Sequence, residues 1–85
     1  MIATTSKNGK TVRLSADYHL DTAKAYYYVW CDGTELEFDM FPPAARIYND
    51  LSRLIEDGAD ITARLKGHIR AARLLGYNVR GKEVA

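Results

Sequence analysis

The chain has 85 residues, of which 47% are hydrophobic and 27% are charged, and its formal net charge is +1. This length and composition predict a single globular domain over residues 1–85, too small for both a core and a deep cleft. No apolar run approaches the roughly 20 residues of a membrane-spanning helix, and the first residues lack the pattern of a signal peptide.

The first element in chain order is a hairpin around Asn8-Gly9. Asn-Gly favours a type I′ turn, which needs positive φ at both central residues. This turn sets four pairs, Ala3 with Leu14, Thr4 with Arg13, Thr5 with Val12 and Ser6 with Thr11. Opposed residues share a face of the sheet, so the expected core face carries Ala3, Thr5, Val12, Leu14, Ala16 and Tyr18. Arg13, Ser15 and Asp17 are then expected on the other face.

Residues 18–23 are predicted to form the loop to a second hairpin, which turns at Asp32-Gly33. The turn pairs Tyr27 with Phe38, Tyr28 with Glu37, Val29 with Leu36, Trp30 with Glu35 and Cys31 with Thr34. One face is apolar and holds Tyr27, Val29, Cys31, Leu36, Phe38 and Met40. The other holds three aromatic residues and three carboxylates, Tyr26, Tyr28, Trp30, Glu35, Glu37 and Asp39. Since three carboxylates cannot be buried unpaired, we expect the second face to be turned to solvent.

Two helices follow the second hairpin. Pro42-Pro43 suits a helix start, and apolar residues then recur at helical spacing up to a stop at Gly58. Their predicted core face is Ala44, Ile47, Tyr48, Leu51, Leu54 and Ile55. Asp60 is the expected N-cap of a second helix from Ile61 to Leu75, which ends at Gly76. Its apolar face is Ile61, Leu65, Ile69, Ala72 and Leu75, with His68 alongside.

A strip of small residues also runs along the second helix. Ala63, Gly67 and Ala71 recur every four residues, and small residues let another backbone approach closely. We therefore expect the first helix or the sheet to cover this strip. Beyond Gly76, residues 77–80 are expected to dock briefly on the domain.

These elements predict an α+β fold of ββββαα order. It is a four-stranded antiparallel meander of two tight hairpins, covered on one face by two α-helices. Cys31 is the only cysteine, which excludes an internal disulfide and suits a reducing environment. We therefore expect a cytoplasmic protein.

The aromatic stripe of Tyr26, Tyr28 and Trp30 is the sharpest functional signal. Aromatic residues on an open sheet can stack nucleic-acid bases or anchor a protein interface. The carboxylates Glu35, Glu37 and Asp39 on the adjacent strand would repel phosphates, so a basic surface on a protein partner is the expected ligand. These six residues are the predicted partner-binding site.

Two alternatives to this interpretation of the stripe are open. Tyrosine and tryptophan are good strand formers, so the stripe could serve the stability of the sheet alone. The same face could also be buried in a homodimer, provided that Arg13 and Lys24 reach across to the carboxylates.

Charge is distributed unevenly along the chain. Residues 11–59 carry four basic and nine acidic residues, whereas residues 60–85 carry six basic and two acidic ones. The alternative function is therefore nucleic-acid binding through the basic second helix. The residues expected to contact nucleic acid are Lys66, Arg70, Arg73, Arg80 and Lys82. A charged solvent face that complements the helix dipole explains the same residues without a ligand.

The sequence offers little for catalysis or for a metal. Asp17, His19 and Asp21 alternate, but no second cluster completes a ligand set, so a polar hairpin connection explains them better. Glu35 and Glu37 lie on a solvent face, where nothing would raise the pKa of one carboxylate for acid–base work. No glycine-rich phosphate loop or nucleophile motif is present. We expect a non-enzymatic protein without a cofactor or metal.

The chain is expected to form a compact domain that has no catalytic motif and that carries one face rich in aromatic and acidic side chains. It resembles the small inhibitor and adaptor proteins of bacteriophages and mobile elements, among them the anti-CRISPR proteins. That resemblance implies an anti-defence inhibitor, and it transfers no site residues.

Overall fold

A computed structural model describes residues 1–81, which form an α+β domain with one antiparallel sheet and two helices. The elements in chain order are β1 (Ala3–Lys7), β2 (Lys10–His19), β3 (Lys24–Cys31), β4 (Thr34–Phe38), α1 (Phe41–Glu56), α2 (Thr62–Leu74) and β5 (Asn78–Gly81). The strands lie in sequence order across the sheet, each hydrogen-bonded to the next. None of the helices in these residues is long and apolar enough to cross a membrane.

Both hairpins have the predicted register. All four pairs between β1 and β2 and all five pairs between β3 and β4 are confirmed. The central residues of both turns have positive φ, with Asp32 at 50° and Gly33 at 78°. The turn chemistry therefore decided which side chains share a face.

The connection between the hairpins is shorter than predicted, because β2 continues to His19. This end of the β2–β3 hairpin extends beyond the helices. Ala16 and Tyr18, expected in the core, are therefore exposed, Tyr18 by 54%. Ser15 points away from the helices, as expected, yet it is buried, because its small side chain lies beside Tyr28 and Arg13.

Helix α1 packs across four strands and forms the centre of the core. Ala44, Tyr48, Leu51 and Ile55 are buried and Ile47 and Leu54 are half-buried, so the predicted core face is confirmed. Strand β1 has few apolar residues and is held largely by polar contacts. Thr5 Oγ1 lies 2.8 Å from Tyr48 Oη and 2.7 Å from Ser52 Oγ. These hydrogen bonds join the edge strand to the helix that covers it.

Helix α2 lies on the same side of the sheet, beside α1 and β5. Ile61, Leu65, Ile69 and Ala72 are buried in the common core, as predicted. Asp60 lies one residue before the geometric N-cap, yet its Oδ1 accepts hydrogen bonds from the backbone and hydroxyl groups of Thr62. These bonds hold the pKa of Asp60 below its usual value.

The prediction of four strands is wrong, because residues 78–81 form a fifth strand. Strand β5 pairs with β4 and places Val79 opposite Leu36 and Arg80 opposite Glu35. Tyr77 leads into this strand and packs on Phe38, with ring centroids 4.7 Å apart. A run of only four residues between two glycines carries too little alternation to indicate a strand by sequence alone.

Three expectations about the helical layer are also wrong. Met40 and Leu75, predicted as core, are 57% and 75% exposed, because Met40 is the N-cap residue of α1 and Leu75 is the C-cap residue of α2, where neither side chain is covered. The strip of Ala63, Gly67 and Ala71 is exposed as well. No atom of residues 1–81 beyond the helix itself lies within 4 Å of the position that a Cβ at Gly67 would take.

Candidate protein-binding surface

The candidate site is the outer sheet face, by which we mean the strand side chains that point away from the helices. The register places Arg13, Trp30, Glu35 and Arg80 in one row across the strands. Ser15, Tyr28, Glu37 and Asn78 form the next row. Asp17 with Tyr26, and His19 with Lys24, continue the face along the longer β2–β3 hairpin.

The three predicted aromatic residues lie together on this face and are half-buried. The guanidinium carbon of Arg13 lies 5.0 Å from the centroid of the Trp30 ring, a cation–π contact. Tyr26 stacks on His19, with centroids 4.2 Å apart and planes 22° apart. Tyr28 lies 6.0 Å from Tyr26. The rings are therefore held in fixed orientations, which lowers the entropy cost of using them as anchors.

Tyr26 keeps its proton over a wider pH range than a free tyrosine. Partial burial raises its pKa, and the negative charges of Asp17 and Glu37 raise it further. The phenol is thus neutral at physiological pH. Its hydroxyl donates a hydrogen bond to Asp17 on the neighbouring strand, which helps to hold the ring in place on the outer sheet face.

Glu37 is an enclosed carboxylate of this face, with a side chain only 10% exposed. Its Oε2 lies 3.4 Å from His19 Nε2 and accepts a 3.3 Å hydrogen bond from Asn78. Its Oε1 lies 3.4 Å from an Arg80 guanidinium nitrogen and accepts no hydrogen bond from any described residue. Positive and polar groups therefore surround the carboxylate, but one of its two oxygens still lacks a hydrogen bond.

The electrostatic part of the sequence-based prediction needs a correction. The cations of the outer sheet face are Arg13, Lys24 and Arg80, and its carboxylates are Asp17, Glu35 and Glu37. Asp39, expected beside Glu37 in the strand, lies just beyond the end of β4. The face is therefore balanced in charge, not acidic throughout. Sequence reasoning missed this balance because it left out the strand that carries Arg80 and ended β2 before His19.

An open cleft of about 560 Å³ lies at one end of the face. Tyr26, Glu37 and Asp39 line it, together with Lys24 and Asn78. Two carboxylates against one lysine make this end the more negative part of the surface. It is also where the aromatic stripe begins.

The residues of the alternative nucleic-acid site do not form one surface. Lys66, Arg70 and Arg73 border one shallow depression on α2. Arg80 lies on the outer sheet face, on the opposite side of the sheet from α2. Lys82 lies outside the described residues.

The described residues contain no group of three His, Cys, Asp or Glu side chains that could hold a metal ion. Asp17 and His19 share the outer sheet face, and Asp21 lies in the turn after β2. His68 lies between the helices, with Nε2 2.7 Å from Asp50 Oδ2. Burial raises the pKa of the Cys31 thiol to about 11, so it is a poor nucleophile.

Comparison with known proteins finds no matching family model, no similar curated protein and no similar solved structure.

Proposed function

We propose that this chain is a small non-enzymatic protein-binding module that uses its outer sheet face to engage a partner protein with a basic surface. The observation that carries the proposal is the ordered aromatic stripe of Tyr26, Tyr28 and Trp30. Tyrosine and tryptophan are enriched among the residues that dominate binding energy at interfaces. Here they are flanked by charged groups, which is the arrangement of an apolar centre and a polar rim.

The negative end of the face supports a partner with cationic side chains. Glu37 and Asp39 line the cleft beside Tyr26, and Asp17 lies opposite Tyr26 in the register. Glu37 Oε1, which no described residue hydrogen-bonds, is a natural acceptor for an arginine or lysine that displaces Arg80. Such complementarity mainly sets the association rate and the specificity, while the aromatic residues supply affinity.

Inhibition would follow if the partner's basic surface were its working surface, such as a nucleic-acid groove. This is the anti-defence role implied by the resemblance to phage and mobile-element inhibitors. Nucleic-acid binding by the chain itself has weaker support, because Arg80 contacts Glu37 on the other side of the sheet.

Affinity capture from the native host lysate tests the proposal with four matched baits. These are the wild type, Tyr28→Ala, Trp30→Ala and the control Tyr18→Ala. Tyr18 is an exposed tyrosine of β2 on the opposite face of the same sheet, so it controls for the loss of any surface ring. We expect one protein to be enriched by the wild type and by Tyr18→Ala and lost with the other two variants.

Calorimetry with the purified partner then measures how much each substitution weakens binding. Loss of an anchor residue costs about 2 kcal/mol or more, which is roughly a 30-fold weaker Kd. Circular dichroism must show that Tyr28→Ala and Trp30→Ala remain folded. If they unfold, the stripe is structural; if they bind the partner as the wild type does, the outer sheet face is not the interface.

A further inference from the structure

A second surface, on the far side of the molecule from the outer sheet face, leaves large apolar side chains uncovered. Leu74 and Leu75 at the end of α2 are 82% and 75% exposed, and Met40 before α1 is 57% exposed. Single exposed apolar residues are common on proteins, but a cluster marks an interaction site.

Two of these residues border an apolar groove between the helices. The groove has a volume of about 490 Å³ and is lined by Met40, Pro42, Ile47, Ala71 and Leu75, among others. This volume falls within the range of ligand-binding pockets. The groove can therefore take large apolar side chains from outside.

The solvent side of α2 continues this apolar surface. At 100° per residue, Ala63, Gly67 and Ala71 lie on the same side of the helix as Leu74. Because Gly67 faces open space, another backbone can approach α2 closely there. Ala63, Gly67 and Ala71 are all exposed, so this strip is available to a helix of another molecule.

The charges around this surface determine what can cover it. Lys66, Arg70 and Arg73 border one flank of α2, and Arg46 lines the groove on the other flank. Arg64 also lies on that second flank, where it pairs with Asp50. Helix α2 itself contains no acidic residue. An apolar surface between two positive flanks complements an apolar strip between two negative ones.

Two other occupants fit these observations less well. A second copy of the chain would place one basic α2 against another, and like charges repel. A nucleic acid would satisfy the cations but would leave Leu74, Leu75 and the apolar groove without a complementary group, since contacts to phosphate are polar.

We propose that the groove and the solvent side of α2 form a docking site for an acidic amphipathic helix of a partner protein. The apolar face of that helix would enter the groove beside Leu75 and lie across Gly67. Its carboxylates would meet the cations on both flanks. This is the helix-in-groove mode of recognition, and it does not depend on the outer sheet face.

The probe is a designed amphipathic helical peptide with leucine on one face and glutamate on the other. A matched peptide with lysine in place of glutamate controls for nonspecific apolar binding, and a DNA duplex tests the nucleic-acid alternative. Amide chemical shifts of the full chain locate the site, and fluorescence anisotropy gives the Kd. We expect the glutamate peptide alone to bind, with shifts confined to α2 and the start of α1.

Three variants distinguish a specific docking site from nonspecific apolar binding. Leu75→Ser is expected to weaken binding at least tenfold, since a buried leucine contributes that much. Leu20→Ser removes a leucine that is 93% exposed in the β2–β3 turn and should change nothing. Gly67→Leu adds apolar surface at a position where a Cβ meets nothing within 4 Å, yet it should weaken binding because it blocks the close approach.

Several results would overturn the proposal. They are no binding of the glutamate peptide, equal binding of the lysine peptide, or tighter binding by Gly67→Leu. Preferential binding of the duplex would assign the basic flank to nucleic acid. Self-association of the free chain through α2 would assign the surface to a second copy.

Discussion

The ion cluster between the two helices should contribute measurably to stability, and Asp50→Asn tests this. Arg64 donates a 2.6 Å hydrogen bond to Asp50, and His68 Nε2 lies 2.7 Å from its other oxygen. The Asp50 and His68 side chains are only 26% and 23% exposed. Asparagine keeps the shape of the side chain, removes its charge and replaces one of the two acceptor oxygens with an amide donor, so the substitution tests the charge-assisted hydrogen bonds of the cluster.

The expected loss of stability follows from the number of hydrogen bonds that Asp50 accepts and from their exposure to solvent. A hydrogen bond to a charged group contributes about 1.5–3 kcal/mol when it is buried, and exposed ion pairs contribute about 0–1 kcal/mol. For this partly exposed cluster we expect the free energy of unfolding to fall by about 1–2 kcal/mol. In a domain of this size, 1 kcal/mol lowers Tm by about 4–8 °C.

The effect should also depend on pH in a defined direction. Partial burial opposes ionisation of Asp50, but the hydrogen bonds from His68 and Arg64 outweigh it and hold the pKa of Asp50 below its usual value. The stabilisation is therefore complete above the unfolded-state pKa of about 3.9 and is lost as pH falls through the lower folded-state pKa. Wild type and Asp50→Asn should differ at neutral pH and converge in acid.

Urea unfolding followed by circular dichroism at neutral and acid pH measures both quantities. Asp21→Asn, at an exposed aspartate in the β2–β3 turn, is the matched control and should leave stability unchanged at neutral pH. If Asp50→Asn were as stable as this control, or if its deficit persisted in acid, the cluster would not act as described.

Three further predictions concern the sheet. Thr34 is fully buried and its hydroxyl has no hydrogen-bond partner among residues 1–81, so Thr34→Val should raise the free energy of unfolding by about 1 kcal/mol in urea titrations. A decrease would mean that the hydroxyl is satisfied. Cys31 is fully buried with a pKa of about 11, so its thiol should react with a disulfide reagent only after unfolding. Rapid reaction in native buffer would contradict its burial. Gly81 has φ of +117°, and a Cβ there would overlap the Gly33 carbonyl oxygen. Gly81→Ala should therefore remove hydrogen-exchange protection from β5 while β2 and β3 keep theirs; unchanged protection would refute this.

The sequence by itself determined the elements whose signals are local. Asn8-Gly9 and Asp32-Gly33 each specify a turn that needs positive φ at two consecutive residues, and that turn fixes the pairing of the strands beside it. Because side chains alternate along a strand, the register then placed Tyr26, Tyr28 and Trp30 together on one face. The period of 3.6 residues in α1 likewise predicted its buried side, since sixteen residues repeat the pattern several times.

Only the tertiary structure decided which of these surfaces are covered and which charges meet. Glu37 pairs with His19 and Arg80, which lie 18 and 43 positions away in the chain. His19 is at the end of a strand, and Arg80 is in a short strand that has no local sequence signal. Leu75 and Gly67 carry the pattern of a packed helix, yet Leu75 is 75% exposed at the end of α2 and Gly67 lies on the solvent side of that helix. Periodicity shows that a side of a helix can be buried; the size and edges of the neighbouring layer decide whether it is. The tertiary structure therefore leaves the apolar groove beside α2 exposed, and it brings cations next to the carboxylates around the aromatic stripe.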